Sequence, residues 1–176
     1  MLKYHIHSMV GKVEVGISNI NSKTLQFFPL KNRTLIFRVP NSTAKITVLG
    51  FGNGNKTAMI YGGVNAKELT ASFKKMIKEF GKIGIDVKQC SNIETVNIAV
   101  SGKFGITLNL EKISAKFAGS NIEYNPEQFP AMIFKMKNPK CVFLLFSTGS
   151  FIIQGLKNTT LVSEAINEMR SLLRLM

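Results

Sequence analysis

The stretch that decides the fold is Val142-Phe143-Leu144-Leu145-Phe146-Ser147-Thr148-Gly149-Ser150-Phe151-Ile152-Ile153-Gln154-Gly155. Two runs rich in β-branched and aromatic residues flank a Ser-Thr-Gly turn, the pattern of a strand–turn–strand hairpin. Side chains alternate along a strand, so Val142, Leu144 and Phe146 share one face and Phe143 and Leu145 the other. Both faces are apolar. One must pack against helices. The other is either covered too or is an exposed apolar surface, and an exposed one marks a binding site.

Working outward, an amphipathic helix follows the hairpin. Leu161, Val162, Ala165, Ile166, Met169, Leu172, Leu173 and Met176 recur at steps of three and four. Another strand, Met132–Met136, precedes it, with a turn at Pro139. The first half carries the same series: a strand at Leu35–Val39, a turn at Pro40, and a hairpin from Ile46–Phe51 through Gly52-Asn53-Gly54-Asn55 to Ala58–Gly62. A helix on Ala66, Leu69, Phe73, Met76, Ile77 and Phe80 then stops near Gly81 and Gly84. Matching points, Phe37/Phe134, Phe51/Phe146 and Gly62/Gly155, lie 97, 95 and 93 residues apart. The chain is therefore read as a duplicated unit with diverged loops, residues 1–88 and 89–176, intimately joined in one domain. Two long helices are too few to cover both sides of ten or so strands, which favours one open face.

The 176 residues carry 23 Lys/Arg against 10 Asp/Glu, a formal net charge of +13, with 45% apolar residues. That apolar content excludes a disordered basic tail. A folded domain with such a field points to a polyanion, nucleic acid before anionic membrane. The charge is lopsided: residues 1–88 hold 14 basic and 4 acidic side chains, net +10, and residues 89–176 hold 9 and 6, net +3.

Other classes find little support. No run reaches the ~18 apolar residues of a membrane span. Met1-Leu2-Lys3-Tyr4-His5 lacks the apolar core of a signal peptide. Cys90 and Cys141 cannot make a disulfide framework or a four-ligand zinc site, and a reduced compartment is expected. His5 and His7 share a strand face, but no third ligand accompanies them. No nucleophile–His–acid set, Walker-type loop or paired-carboxylate signature is present, so neither enzyme activity nor a cofactor is expected.

The second half closely resembles the TATA-box-binding protein family. The resemblance rests on Val96-Asn97-Ile98-Ala99, on Leu108-Asn109-Leu110-Glu111-Lys112-Ile113, and on Glu123-Tyr124-Asn125-Pro126-Glu127-Gln128-Phe129-Pro130 running on to Met136. Asn138-Pro139-Lys140, Leu144–Gly149 and Gly155-Leu156-Lys157 continue it. Met9-Val10-Gly11, Leu35–Arg38, Leu49-Gly50-Phe51 and Gly62 keep the frame more weakly in the first half. The fold so implied is α+β: a saddle of two pseudo-twofold repeats, with a curved antiparallel sheet and helices on its convex face. The function so implied is a general initiation factor that binds and bends AT-rich promoter DNA from the minor groove and nucleates initiation-complex assembly. The groove of A·T pairs offers only acceptors, and apolar wedges that unstack base steps cost a few kcal/mol each.

Carried across position by position, the resemblance gives Phe129, Phe146 and Phe51 wedge roles. The fourth wedge falls near Asn32, with Phe28 or Leu30 as replacements. Asn97 matches a groove-floor asparagine whose first-half counterpart is Ser8, while Gln154 and Tyr61 stand where threonine is usual. Ala99, Val10, Leu144, Leu49, Ile152 and Met59 match apolar groove contacts; Lys135 and Arg38 match phosphate-facing cations, and Thr148 a turn contact. Ser150 replaces a family lysine. Glu127, in the loop before Phe129, matches an edge that meets a transcription-factor-IIB-like partner. Lys74 and Lys78, in a basic run with Lys67, Lys75 and Lys82, would dock acidic partners among other initiation factors and RNA polymerase. The departures at Ser8, Asn32, Tyr61 and Gln154 suggest relaxed sequence preference. They also leave an alternative, an interaction scaffold of a transcription complex with weakened DNA binding. The expected setting is not secreted: the nucleus in a eukaryote, a virion or cytoplasmic factory for a virus.

Overall fold

The computed structural model describes residues 3–26, 33–117 and 121–174. In chain order the elements are β1 (Tyr4–Ser18), α1 (Ser22–Gln26), β2 (Leu35–Arg38), β3 (Lys45–Leu49), β4 (Gly54–Gly63), α2 (Ala66–Lys82) and β5 (Asp86–Gln89). There follow β6 (Glu94–Lys103), α3 (Leu110–Lys116), β7 (Ile122–Glu123), β8 (Met132–Met136), β9 (Cys141–Leu145), β10 (Ser150–Leu156) and α4 (Thr160–Arg174). The class is α+β, as the resemblance implies. The chain forms two compact units, Ser8–Val96 and Met1–His7 with Asn97–Met176.

Each unit holds an antiparallel meander. In Ser8–Val96 the order is β2-β3-β4-β1, with β5 on the far side of β1. In the other unit it is β6-β10-β9-β8-β7. A long strand, a hairpin partner, the other arm of that hairpin and an outer strand therefore recur in the same order. The long strands carry the same irregularity. β4 skips Gly62 where Met9 and Val10 face Gly63 and Tyr61, and β10 is bulged between Ile153 and Leu156. Gly62 and Gly155 sit at φ +92° and +93°, a conformation that glycine adopts without strain.

Alternation settles the cores. Val13, Val15 and Ile17 of β1, Ile46 and Val48 of β3, and Ala58 and Ile60 of β4 are all buried. So are Ile98 and Val100 of β6, Phe143 and Leu145 of β9, and Phe151 and Ile153 of β10. α2 packs on β3, β4 and β5 through Leu69, Phe73, Met76 and Phe80. Fully burying one such side chain contributes about 1.5–3 kcal/mol. The helix starts where a capping box allows it. Asn65 Oδ1 accepts from the Glu68 N–H at 2.9 Å, and the Glu68 carboxylate accepts from the Val64 N–H at 3.0 Å. It ends at Ile83, with Gly84 at φ +78° supplying the left-handed residue beyond; Gly81 lies inside the last turn. α4 buries Val162, Ala165, Ile166, Met169 and Leu173. Among the described residues no helix is long and apolar enough to cross a membrane.

The β9–β10 turn is fixed from outside. The Gly149 N–H donates to the Phe146 carbonyl at 2.9 Å, and its own carbonyl accepts from the Phe104 N–H at 2.9 Å. Gly149 has φ +77°, and a Cβ placed there would lie 1.8 Å from the Ile106 carbonyl oxygen. Gly149→Ala is expected to destabilise the protein by roughly 2–4 kcal/mol, since strain and overlap with backbone both apply. Urea unfolding monitored by circular dichroism measures this directly.

Candidate nucleic-acid interface

Opposite the buried face, the strands of each unit present a second face on which none of the described side chains is buried. Cross-strand register assembles it into rows. In the unit ending at residue 176, Ile133, Leu144, Ile152 and Ser101 stand side by side across β8, β9, β10 and β6. Lys135, Val142 and Gln154 form the next row. Asn97 and Ala99 continue the face along β6, four and two residues from Ser101. The face thus has an apolar middle with amide, hydroxyl and ammonium groups around it.

The unit Ser8–Val96 repeats the pattern. Ile36, Thr47, Met59 and Lys12 form one row, and Arg38, Lys45, Tyr61 and Val10 another. Leu49, Thr57 and Glu14 form a third. Lys45 Nζ lies 5.3 Å from the Tyr61 ring centre, a cation–π contact. Leu49 is 48% exposed, a large apolar surface left open to solvent. Ser8 lies on the same face as Val10.

The side chains singled out from the sequence therefore fall into two groups by unit. Asn97, Ala99, Leu144, Ile152, Gln154 and Lys135 share one face, and Val10, Leu49, Met59, Tyr61 and Arg38 share the other. Asn97 Oδ1 accepts from the Gly155 N–H at 2.7 Å, which ties it to the bulge of β10. Lys135 is ion-paired to Glu123, and both side chains are more than half exposed. An exposed pair of this kind contributes little, about 0–1 kcal/mol, so the ammonium is readily redirected. Thr148 Oγ1 donates to Ser150 Oγ at 3.0 Å in the β9–β10 turn.

The aromatic positions divide. Phe129 is 41% exposed on a turn in which its N–H donates to the Asn125 carbonyl at 2.9 Å. Phe146 is half-buried at the end of β9, beside an open hollow of about 470 Å³ that Lys3, His5, Lys103 and Ile152 also line. Phe51 departs from expectation. It is only 4% exposed and meets Phe80 of α2 edge-on, with ring centres 6.1 Å apart. Gly50 at φ +66° and Gly52 at φ +157° bracket it, and the Arg33 carbonyl accepts its N–H at 2.6 Å. The gain from burying a phenyl ring against the end of α2 wins here, so Phe51 is a core residue and not a projecting wedge. Asn32, Phe28 and Leu30 lie outside the described residues.

Glu127 is exposed in the same turn as Phe129, and Lys74 and Lys78 are exposed on α2 with Lys67, Lys75 and Lys82. Lys12, Glu14 and Thr57 were not singled out from the sequence, although the parity of β1 and β4 puts them on the open face with Val10 and Met59. Thr57 Oγ1 donates to the Glu14 carboxylate, and Lys12 Nζ lies 3.1 Å from Glu14 Oε1. The hydrogen bond from Lys12, then that from Thr57, holds the Glu14 carboxyl below the usual carboxylate range. Burial pushes the Cys141 thiol up to about 11, so it is neither a nucleophile nor a thiolate ligand at neutral pH. His7 Nε2 is bonded to Ser101 Oγ, and among the described residues no cluster of three or more metal-ligating side chains exists.

Burial separates the two phenylalanines experimentally. Phe51→Ala is expected to cost about 3–5 kcal/mol of stability, as for other buried phenylalanines. Phe129→Ala is expected to stay within about 1 kcal/mol, as an exposed substitution does. Denaturant unfolding of the two variants checks the difference.

Comparisons with known proteins agree with this geometry. The family model described as Transcription factor TFIID (or TATA-binding protein, TBP) matches residues 92–176. A TATA-box-binding protein of Aeropyrum pernix is 32% identical over 90% of this chain and 75% of its own length. One from Pyrodictium occultum is 30% identical over 83% of this chain and 70% of its own. The solved structure of Methanococcus jannaschii TBP superposes with a TM-score of 0.82 at 26% identity, covering 99% of each chain. With the same fold end to end, and sequence identity at this level over most of its length, the chain belongs to the TATA-box-binding protein family.

Proposed function

We propose that this protein is a general transcription initiation factor that lays the open faces of its two units in the minor groove of AT-rich promoter DNA, bends it and nucleates initiation-complex assembly. The observation that carries this is the pair of unburied faces with apolar centres and cationic or amide margins, in a chain of net charge +13. An A·T minor groove offers acceptors and no guanine amino group, so a mostly apolar face with a few donors is complementary to it once the groove is opened. Burial of the apolar surface, at about 25 cal/mol per Å², offsets the cost of deforming the duplex. The residues 1–88 and 89–176 act as two copies of one ancestral groove reader.

In this proposal Phe129 and Phe146 are the wedges, and Asn97 donates its amide N–H to base acceptors. Ala99, Leu144, Ile152, Val10, Leu49 and Met59 line the groove floor, with Gln154 and Tyr61 beside them. Lys135 and Arg38 take phosphates, and Thr148 supports the turn. Because Phe51 is buried, the wedge role in the first half falls to Phe28 or Leu30, near Asn32. Glu127 is the contact for a transcription-factor-IIB-like protein. A carboxylate facing phosphates would cost binding energy, and this one is exposed outside the sheet face. Lys74 and Lys78 form the docking surface for acidic segments of other initiation factors and RNA polymerase.

A bend-sensitive fluorescence assay on a TATA duplex and a GC duplex tests the proposal. The protein is expected to bend the first and not the second. Phe146→Ala should lower both bend and affinity; a variant that bends DNA like the parent removes the wedge argument. The logarithm of affinity should fall with the logarithm of salt concentration by about 0.9 per neutralised phosphate, and Lys135→Ala should flatten that slope by about one contact. A flat salt response argues instead for a scaffold without stable DNA binding. Glu127→Arg should leave binary DNA binding unchanged and reduce ternary-complex formation with the cognate factor, as read by gel shift.

A further inference from the structure

The open face of Ser8–Val96 contains an anion at a place where an A·T reader has no use for one. Glu14 is flanked on one side by Thr57 of β4 and on the other by the segment running out of β5. Its N–H donates to Ser91 Oγ at 2.9 Å, and its carbonyl accepts from the Cys90 N–H at 2.8 Å, so the backbone beneath it is fixed on both sides. Its side chain is held as well. Thr57 Oγ1 lies 3.1 and 3.0 Å from the two carboxylate oxygens, and Lys12 Nζ lies 3.1 Å from Oε1. The carboxylate is still 41% exposed, and Lys12 is 44% exposed beside it.

A carboxylate only accepts hydrogen bonds and has about four lone-pair sites; Lys12 and Thr57 leave sites free, chiefly on Oε2. Adenine N3 and thymine O2, the minor-groove groups of an A·T pair, are also acceptors, and an anion against them is repelled. The one donor in the minor groove is the 2-amino group of guanine. We propose that Glu14 accepts a hydrogen bond from this amino group, while Lys12 donates to the neighbouring base acceptor, so that the Lys12–Glu14 pair selects a G·C pair at one position of an otherwise AT-rich site. The inference rests on the minor-groove function proposed above. Glu14 and Lys12 are then specificity-determining residues, and the alternation of donor and acceptor along β1 matches the acceptor–donor pattern of a G·C edge.

The test uses the full chain and a panel of duplexes in which each A·T pair of a bound site is replaced, one at a time, by G·C, inosine·C or 2,6-diaminopurine·T. Inosine lacks the 2-amino group, and diaminopurine adds it to an A·T-like pair. At one position, G·C and diaminopurine·T are expected to bind about tenfold more tightly than A·T and inosine·C. Glu14→Leu, which leaves no acceptor at this place, should reduce that difference to less than about twofold, with unfolding curves confirming that the variant is folded. The comparison of modified bases in the unaltered protein stands even if the variant does not fold. If the 2-amino group lowers affinity, or leaves it unchanged, at every position while TATA DNA is still bound and bent, this inference fails and the proposed function survives. A preference that persists in Glu14→Leu overturns the assignment to Glu14. Failure to bind any duplex overturns both.

Discussion

Everything in this structure depends on a period of two. A strand sends alternate side chains to opposite sides, and in each unit the long amphipathic helices bury their apolar stripes on one side only. Once Ile46, Val48, Ala58 and Ile60 turn toward α2, their neighbours Thr47, Leu49, Thr57, Met59 and Tyr61 have no choice but to face the other way. The same holds for Phe143, Leu145, Phe151 and Ile153 against Val142, Leu144, Ile152 and Gln154. The core and the candidate interface are therefore a single decision, made strand by strand. A one-residue slip in any pairing would exchange them.

That coupling explains what the sequence makes legible. The strands, the two long helices and the repeat follow from alternation, three-and-four spacing and matched glycines, and the positive-φ glycines at 62 and 155 bear out the correspondence. Face membership of Leu144, Ile152, Gln154, Asn97, Val10, Met59 and Tyr61 follows from parity alone. Phe51 was not legible because it lies past the end of β3, where parity has no force. Its direction is set by two unusual glycine conformations and by the position of Phe80, a contact between residues far apart in sequence. Lys12 and Glu14 were legible in principle, since they share the parity of Val10. A charged pair on a strand reads at first as an ordinary solvated surface, and only the cross-strand partner Thr57 shows that it is held in place.

The charges on the open faces differ in kind from the lysines of α2. Those on the helix stand on a solvated flank opposite Leu69, Phe73 and Phe80, where they add to the long-range field. Those on the sheets sit beside apolar rows, where a partner that removes water would strengthen every interaction they make. Lys135 already has a carboxylate neighbour in Glu123, and Lys12 has one in Glu14. Exchanging such a weak exposed pair for a phosphate or a base edge costs little, so these cations are preoriented without being locked.

The bond between Asn97 and the bulge at Gly155 has a consequence for polarity. With Oδ1 accepting from the Gly155 N–H, the bulge fixes which way round the amide sits: its oxygen is turned toward β10, and its NH₂ donors lie on the other side of the group. The open face of the other unit offers the anion of Glu14. The two open faces thus set different polar groups beside similar apolar rows. If both faces meet one duplex, as the proposed function has it, this difference makes the two directions of reading a site unequal in energy.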